Sequence, residues 1–132
     1  MTTEEMAVYI GERLFSTITT KVYGSTNDFV LLKFRGYNIT KRRDEYINWL
    51  LSPNGINEAK LAMIERGWDV HITYYSNVRH TPWAACFWRR GSNPTIDFHE
   101  YEKSEAEAVI YTAYKALKAE EDKAKLNVTN SQ

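Results

Sequence analysis

Three short segments joined by turn signals constrain this chain more than anything else in it. Trp68 through Tyr75 sets Val70, Ile72 and Tyr74 against His71, Thr73 and Tyr75, the period of two that marks a half-buried strand. Ser76 to Pro82 supplies a turn, and Trp83 through Arg90 reads as a second strand. Gly91-Ser92-Asn93-Pro94 is a second turn signal, and Thr95 to His99 a third strand. Strands this close in sequence pair antiparallel, and such a meander buries one face on helices.

The helices are legible on both sides of it. Ser104 with Glu107 forms a capping box, and Ala106, Val109, Ile110, Ala113 and Leu117 make the inner face of the helix that follows. Ser52-Pro53 resembles an N-cap with a first-turn proline, and Ile56, Ala59, Met63 and Gly67 describe a short helix with a glycine stop. At the N-terminus Met6, Ile10, Leu14, Ile18 and Val22 recur every fourth residue, with Thr2 and Glu5 as a capping box and Gly24 as the stop. Thr17, Thr19 and Thr20 weaken the last turn of that helix. Phe29 through Arg35, followed by Gly36, reads as a strand. Residues 37–51 admit two readings: a helix with Tyr46, Ile47, Leu50 and Leu51 on one face, or a loop with one helical turn.

The expected fold is therefore α+β: an antiparallel β-meander packed with three helices in an α/β/α-type sandwich. The chain has 132 residues, the size of one domain. We expect that domain over residues 1–118 and a polar, fraying tail over 119–132.

Seventeen basic residues balance seventeen acidic ones. Zero net charge argues against a long nucleic acid or a polybasic membrane surface as partner. No apolar run is long enough to span a membrane, and Met1-Thr2-Thr3-Glu4-Glu5 lacks the start of a signal peptide. A single cysteine, Cys86, cannot staple the chain. The expectation is a soluble intracellular protein.

The balance hides a segregation. Residues 29–43 hold Lys33, Arg35, Lys41, Arg42 and Arg43 without an acid, and residues 70–96 hold Arg79, Arg89, Arg90, His71 and His80 without one. Residues 97–122 carry eight acids and three lysines. The stretch 70–96 also holds Tyr74, Tyr75, Trp83, Phe87 and Trp88. Rings stack on bases and guanidinium groups fork onto phosphate, so this composition suits a planar anionic ligand. It equally suits strand rings in a core with solvated arginines. Lys41-Arg42-Arg43 precedes Asp44-Glu45, which can pair with it on the surface.

Catalytic patterns are missing. There is no glycine-rich phosphate loop, no His-Glu-x-x-His helix and no metal-ligand spacing among His71, His80, His99 and Cys86. Cys86 stands on a strand next to that of His71, so a Cys–His pair is sterically possible, though a small buried thiol is the simpler reading. The chain reads as a non-enzyme with no cofactor and no metal.

Three segments resemble the phage ABA-sandwich domain family. Ser16-Thr17-Ile18-Thr19-Thr20-Lys21-Val22-Tyr23-Gly24 is similar to that family's "vAeKVMGW" at Lys21, Val22 and Gly24. The second is Met63-Ile64-Glu65-Arg66-Gly67-Trp68-Asp69-Val70 with Phe87-Trp88-Arg89-Arg90-Gly91 after the turn. The third, Ala106-Glu107-Ala108-Val109-Ile110 through Ala113 and Leu117, resembles "ApeAICrAALla". Together they span most of residues 8–118. Residues 29–51 have no close counterpart, and Tyr111 and Thr112 stand where the family commonly has Cys and Arg.

The resemblance implies a phage anti-defence protein of the Thoeris-sponge kind, acting in the cytoplasm of the infected bacterium. Such proteins bind and sequester a cyclic ADP-ribose signal made by a TIR enzyme, in some cases cyclic oligonucleotides, without cleaving it. They assemble as homodimers or higher homo-oligomers. On that reading Phe87 or Trp88 stacks the base, since alternation lets only one face the ligand. Arg89 or Arg90 holds phosphate, Asn93 adds a donor, and Arg35 contributes from a neighbouring element or subunit. The alternative is a protein-binding phage inhibitor of a host enzyme such as a nuclease, because exposed Trp, Tyr and Arg are also interface anchors.

Overall fold

The computed structural model describes residues 2–15, 18–21, 28–34, 37–90 and 97–130, with residues 18–41, Asp97 and residues 127–130 described through their backbone. Four helices and two three-stranded antiparallel sheets follow one another along it. The α+β class and the meander packed on helices are as the sequence predicts.

Helix α1 (Thr3–Leu14) starts where the capping box places it: the Thr2 side chain accepts from the Glu5 amide at 3.1 Å. It ends eight residues before Val22. Phe15 closes it by donating its amide to the Gly11 carbonyl, and Ile18–Lys21 forms strand β1 instead. The reason is local, since Ile18, Thr19 and Thr20 are β-branched and favour the pleated backbone. Strands β2 (Asp28–Phe34) and β3 (Tyr37–Arg42) complete the first sheet, with β2 in the middle. Helix α2 (Arg43–Leu50) follows at once, so the segment with two readings is a strand and then a helix.

Helix α3 (Pro53–Glu65) opens on Ser52, whose Oγ accepts from the Gly55 amide at 3.3 Å. Gly55 sits where α3 meets the end of α2: a Cβ there would lie 2.0 Å from the Trp49 carbonyl oxygen. Gly67, with φ of +97°, turns the chain from α3 into β4, a conformation that costs other residues strain. Strands β4 (Trp68–Tyr74), β5 (Trp83–Arg89) and β6 (Asp97–Glu102) form the second sheet, with β5 central.

Helix α4 (Glu105–Asn130) opens where Ser104 Oγ accepts from the Glu107 amide at 3.2 Å. It does not stop near Leu117. Residues 119–130, expected as a tail, continue the helix, and two consecutive glutamates tie that extension to the rest of the molecule. Glu120 accepts from the Trp68 indole (2.6 Å), Arg89 (2.9 Å) and Arg66 (2.8 Å), while Glu121 pairs with Arg13 of α1.

The core lies between sheet β4–β6 and the helices. Trp68, Phe87, Met63, Ile110 and Leu117 are buried there together with Ile10, Tyr46 and Leu50. Tyr46 joins two helices by donating its hydroxyl to the Ala7 carbonyl at 2.9 Å, and burial pushes that phenol up. Thr112 is fully buried and donates to the Ala108 carbonyl at 2.6 Å. The helix position where the resembling family has arginine therefore faces the core. Among the described residues all four helices contribute to the core on the Phe87 side of β4–β6, where α2 adds Tyr46, Ile47 and Leu50.

Candidate functional site

Register decides which side chains share a face. Val70 pairs with Phe87 and Phe87 with Phe98, and this row points at the helices. The next row on the other face is Asp69, Trp88 and Asp97; then come His71, Cys86 and His99, and then Thr73, Ala84 and Tyr101. Side chains alternate along a strand, so Cys86, Trp88 and Arg90 project from one side of β5, and Phe87 and Arg89 from the other.

The open face carries rings from all three strands. His71, His99 and Tyr101 are exposed, with Tyr101 at 51%, while Trp88 and Cys86 are half-buried. His99 and Tyr101 are stacked, with centroids 5.6 Å apart and planes 9° from parallel. Tyr75 reaches Tyr101 at 6.1 Å. At the end of β5, Arg90 donates from Nε to Asp69 Oδ1 at 3.0 Å, with a second nitrogen at 2.9 Å. Both partners are accessible, so this is a weak surface pair that an anionic ligand can displace.

The predicted site residues therefore separate. Trp88 and Arg90 stand on the open face. Phe87 does not: it is fully buried against α4, offers no ring face to a ligand, and is corrected from stacking candidate to core residue. Arg89 lies on the helix side, with its guanidinium over the Trp68 ring at 5.1 Å and bonded to Glu120 and to the Arg66 carbonyl. It braces α4 against β4 and β5. Asn93 and Arg35 lie outside the described residues. Two of the three arginines of the acid-free stretch, Arg89 and Arg90, thus have acidic partners from elsewhere in the chain, Glu120 and Asp69. Sequence reasoning missed His99, Tyr101 and Tyr75 on the face that Trp88 shares. Their positions two residues apart on β6 and at the end of β4 were the available signal.

A concavity of about 440 Å³ lies where the first turns of α3 and α4 meet, lined by Leu51, Pro53, Ile56 and Ala106 among others. Lys60 and Glu105 bridge it at 3.1 Å. None of its lining residues is aromatic and its lysine is already paired, so it suits a stacked, charged ligand less well than the open face. Among the described residues no group of three or more His, Cys, Asp or Glu could hold a metal ion, and no helix is long and apolar enough to cross a membrane. No protein-family model matches the chain, and no curated protein matches it.

Proposed function

We propose that the protein binds a small cyclic nucleotide signal on the open face of β4–β6 and sequesters it without cleaving it. The observation that supports this most is Trp88 beside Arg90 on a face that also carries His71, His99 and Tyr101. A base stacks on the rings, and the guanidinium exchanges Asp69 for a phosphate. The ligand class, a cyclic ADP-ribose isomer or a cyclic oligonucleotide, rests on the resemblance to phage ABA-sandwich domains. So does the anti-defence role in the cytoplasm of an infected host.

Magnitudes sharpen the proposal. Sequestration at a dissociation constant of about 10 nM needs about −11 kcal/mol. One base stack contributes ~1–3 kcal/mol, and a hydrogen bond to a charged group ~1.5–3 kcal/mol. An open face with one tryptophan and one arginine falls short of that sum. Closure by a second copy of the chain would exclude water and add contacts, so a homodimer or higher homo-oligomer belongs to the proposal.

Calorimetry with cyclic ADP-ribose isomers and cyclic trinucleotides tests it. At least one should bind and be recovered intact from heat-denatured complex. Trp88→Ala should weaken it about tenfold or more, and Arg90→Glu should weaken it as well. No heat from any of them, with no ligand recovered, overturns the proposal.

A second reading has its own support. Tyr74 (57% exposed), Tyr75, Val78 and Tyr101 cluster around the β4–β5 turn, an exposed apolar edge that suits a protein partner. On this reading the protein is a phage inhibitor of a host enzyme such as a nuclease. Co-purification of one host protein, lost in Tyr74→Ala and Tyr101→Ala, would favour it over the nucleotide reading.

A further inference from the structure

We infer that the His71–Cys86–His99 row is a thiol-reactive site, with Cys86 as a nucleophile toward disulfides of small thiols. The three residues are direct register partners across β4, β5 and β6, so their side chains rise from one face in one line. Residues opposite each other in an antiparallel pair have Cβ atoms about 4.5–5.5 Å apart, which places one histidine position on each side of Cys86, within reach of its sulfur by side-chain rotation. His71 and His99 are exposed, Cys86 is half-buried, and His99 is held by its stack on Tyr101. No carboxylate stands in this row. The nearest acidic positions on the face are Asp69 and Asp97, one row away beside Trp88, with Asp69 engaged by Arg90.

The chemistry balances simply. An imidazole takes the thiol proton, and the thiolate attacks one sulfur of the disulfide. The S–S bond breaks and the other half leaves as a thiolate. The Cys86 sulfur is oxidised and the departing thiol reduced. An imidazole within reach can accept the thiol proton as the sulfur attacks, the role a base plays beside a nucleophilic cysteine. The adduct would stand two residues from Trp88 and cover part of the ring face. That consequence rests on the proposed ligand surface; the reactivity does not.

The test uses an aromatic disulfide, 5,5′-dithiobis(2-nitrobenzoate), and follows release of its coloured thiolate at neutral pH. Cys86→Ser releases nothing if the assay is clean, since Cys86 is the chain's only cysteine. The native protein should react about fivefold or more faster than the double variant His71→Asn, His99→Asn. It should also react faster than the same chain unfolded in urea, despite partial burial of the sulfur. Equal rates in native protein and folded double variant overturn the inference. If the double variant does not fold, a native rate below the urea rate overturns it. Nucleotide binding measured on the adduct separates the two proposals: reactivity without any ligand binding retains this one and removes the other.

Discussion

The two faces of sheet β4–β6 are built from adjacent residues and behave oppositely. On β5, Phe87 and Arg89 face the helices, and Trp88 and Arg90 face away. Each pair is a ring and an arginine, yet the first is consumed by the fold. Phe87 is fully buried, and Arg89 stacks on Trp68 and bonds to Glu120. In the second pair, Arg90 bonds to the accessible Asp69 and Trp88 is only half-buried. Composition cannot separate a buried ring from an accessible one; strand parity can.

The sharpest way to break this comparison is to truncate both rings. Phe87→Ala should cost about 3–5 kcal/mol of stability in urea unfolding, the usual loss for a fully buried phenylalanine. Trp88→Ala should cost about 1 kcal/mol or less, because its ring is only half-buried and lies outside the core cluster. Equal losses would mean that the two faces are not distinct.

Next in size is the hub on the helix side. Glu120→Ala removes the acceptor of the Trp68 indole N–H and of two guanidinium groups. Leaving a buried donor unpaired costs about 1–3 kcal/mol. Glu120→Gln, which keeps one carbonyl acceptor, should lose less. On the open side Asp69→Asn, which breaks the Arg90 pair, should change stability by about 0.5 kcal/mol or less. Amide exchange in the last turns of α4 should accelerate in Glu120→Ala and stay unchanged in Asp69→Asn.

The smallest effect is in pH. The Arg13 guanidinium donates to Glu121 and holds its carboxyl below the ordinary value of 4.5. A depressed carboxylate adds stability above its unfolded value and loses it as pH falls through the folded one. The native protein should therefore lose stability on acidification below about that point, and Glu121→Gln should show a flatter acid limb. The pair is partly exposed, so the difference should shrink in high salt. Unfolding midpoints across acid pH, at two ionic strengths, measure it.

Much of the fold was legible because its signals are local. Thr2, Ser52 and Ser104 cap the helices they precede, and the alternation of Val70, Ile72 and their neighbours fixes β4. Helix α1 was overextended because the four-residue spacing of Ile18 and Val22 imitates a helix, while the threonines between them favour a strand. The site was harder to read. Trp83-Ala-Ala-Cys-Phe-Trp-Arg-Arg90 has no apolar–polar alternation of its own, so its parity is set by pairing with β4 and β6. Glu120 was invisible for a different reason: its partners Arg89 and Trp68 lie 31 and 52 residues away, and nothing in a polar helical segment marks one glutamate among several. The pairing of His71 with Cys86 follows from neighbouring strands, whereas adding His99 required the exact register of β6.

The proposed ligand surface is the open face of β4–β6. Amide and side-chain shift mapping by NMR, with a cyclic ADP-ribose isomer titrated into the protein, addresses it most directly. The largest shifts should fall at His71, Cys86, Trp88, Arg90, His99 and Tyr101. Shifts centred on the Lys60–Glu105 concavity, or none at saturating ligand across the cyclic nucleotides tried, would contradict it.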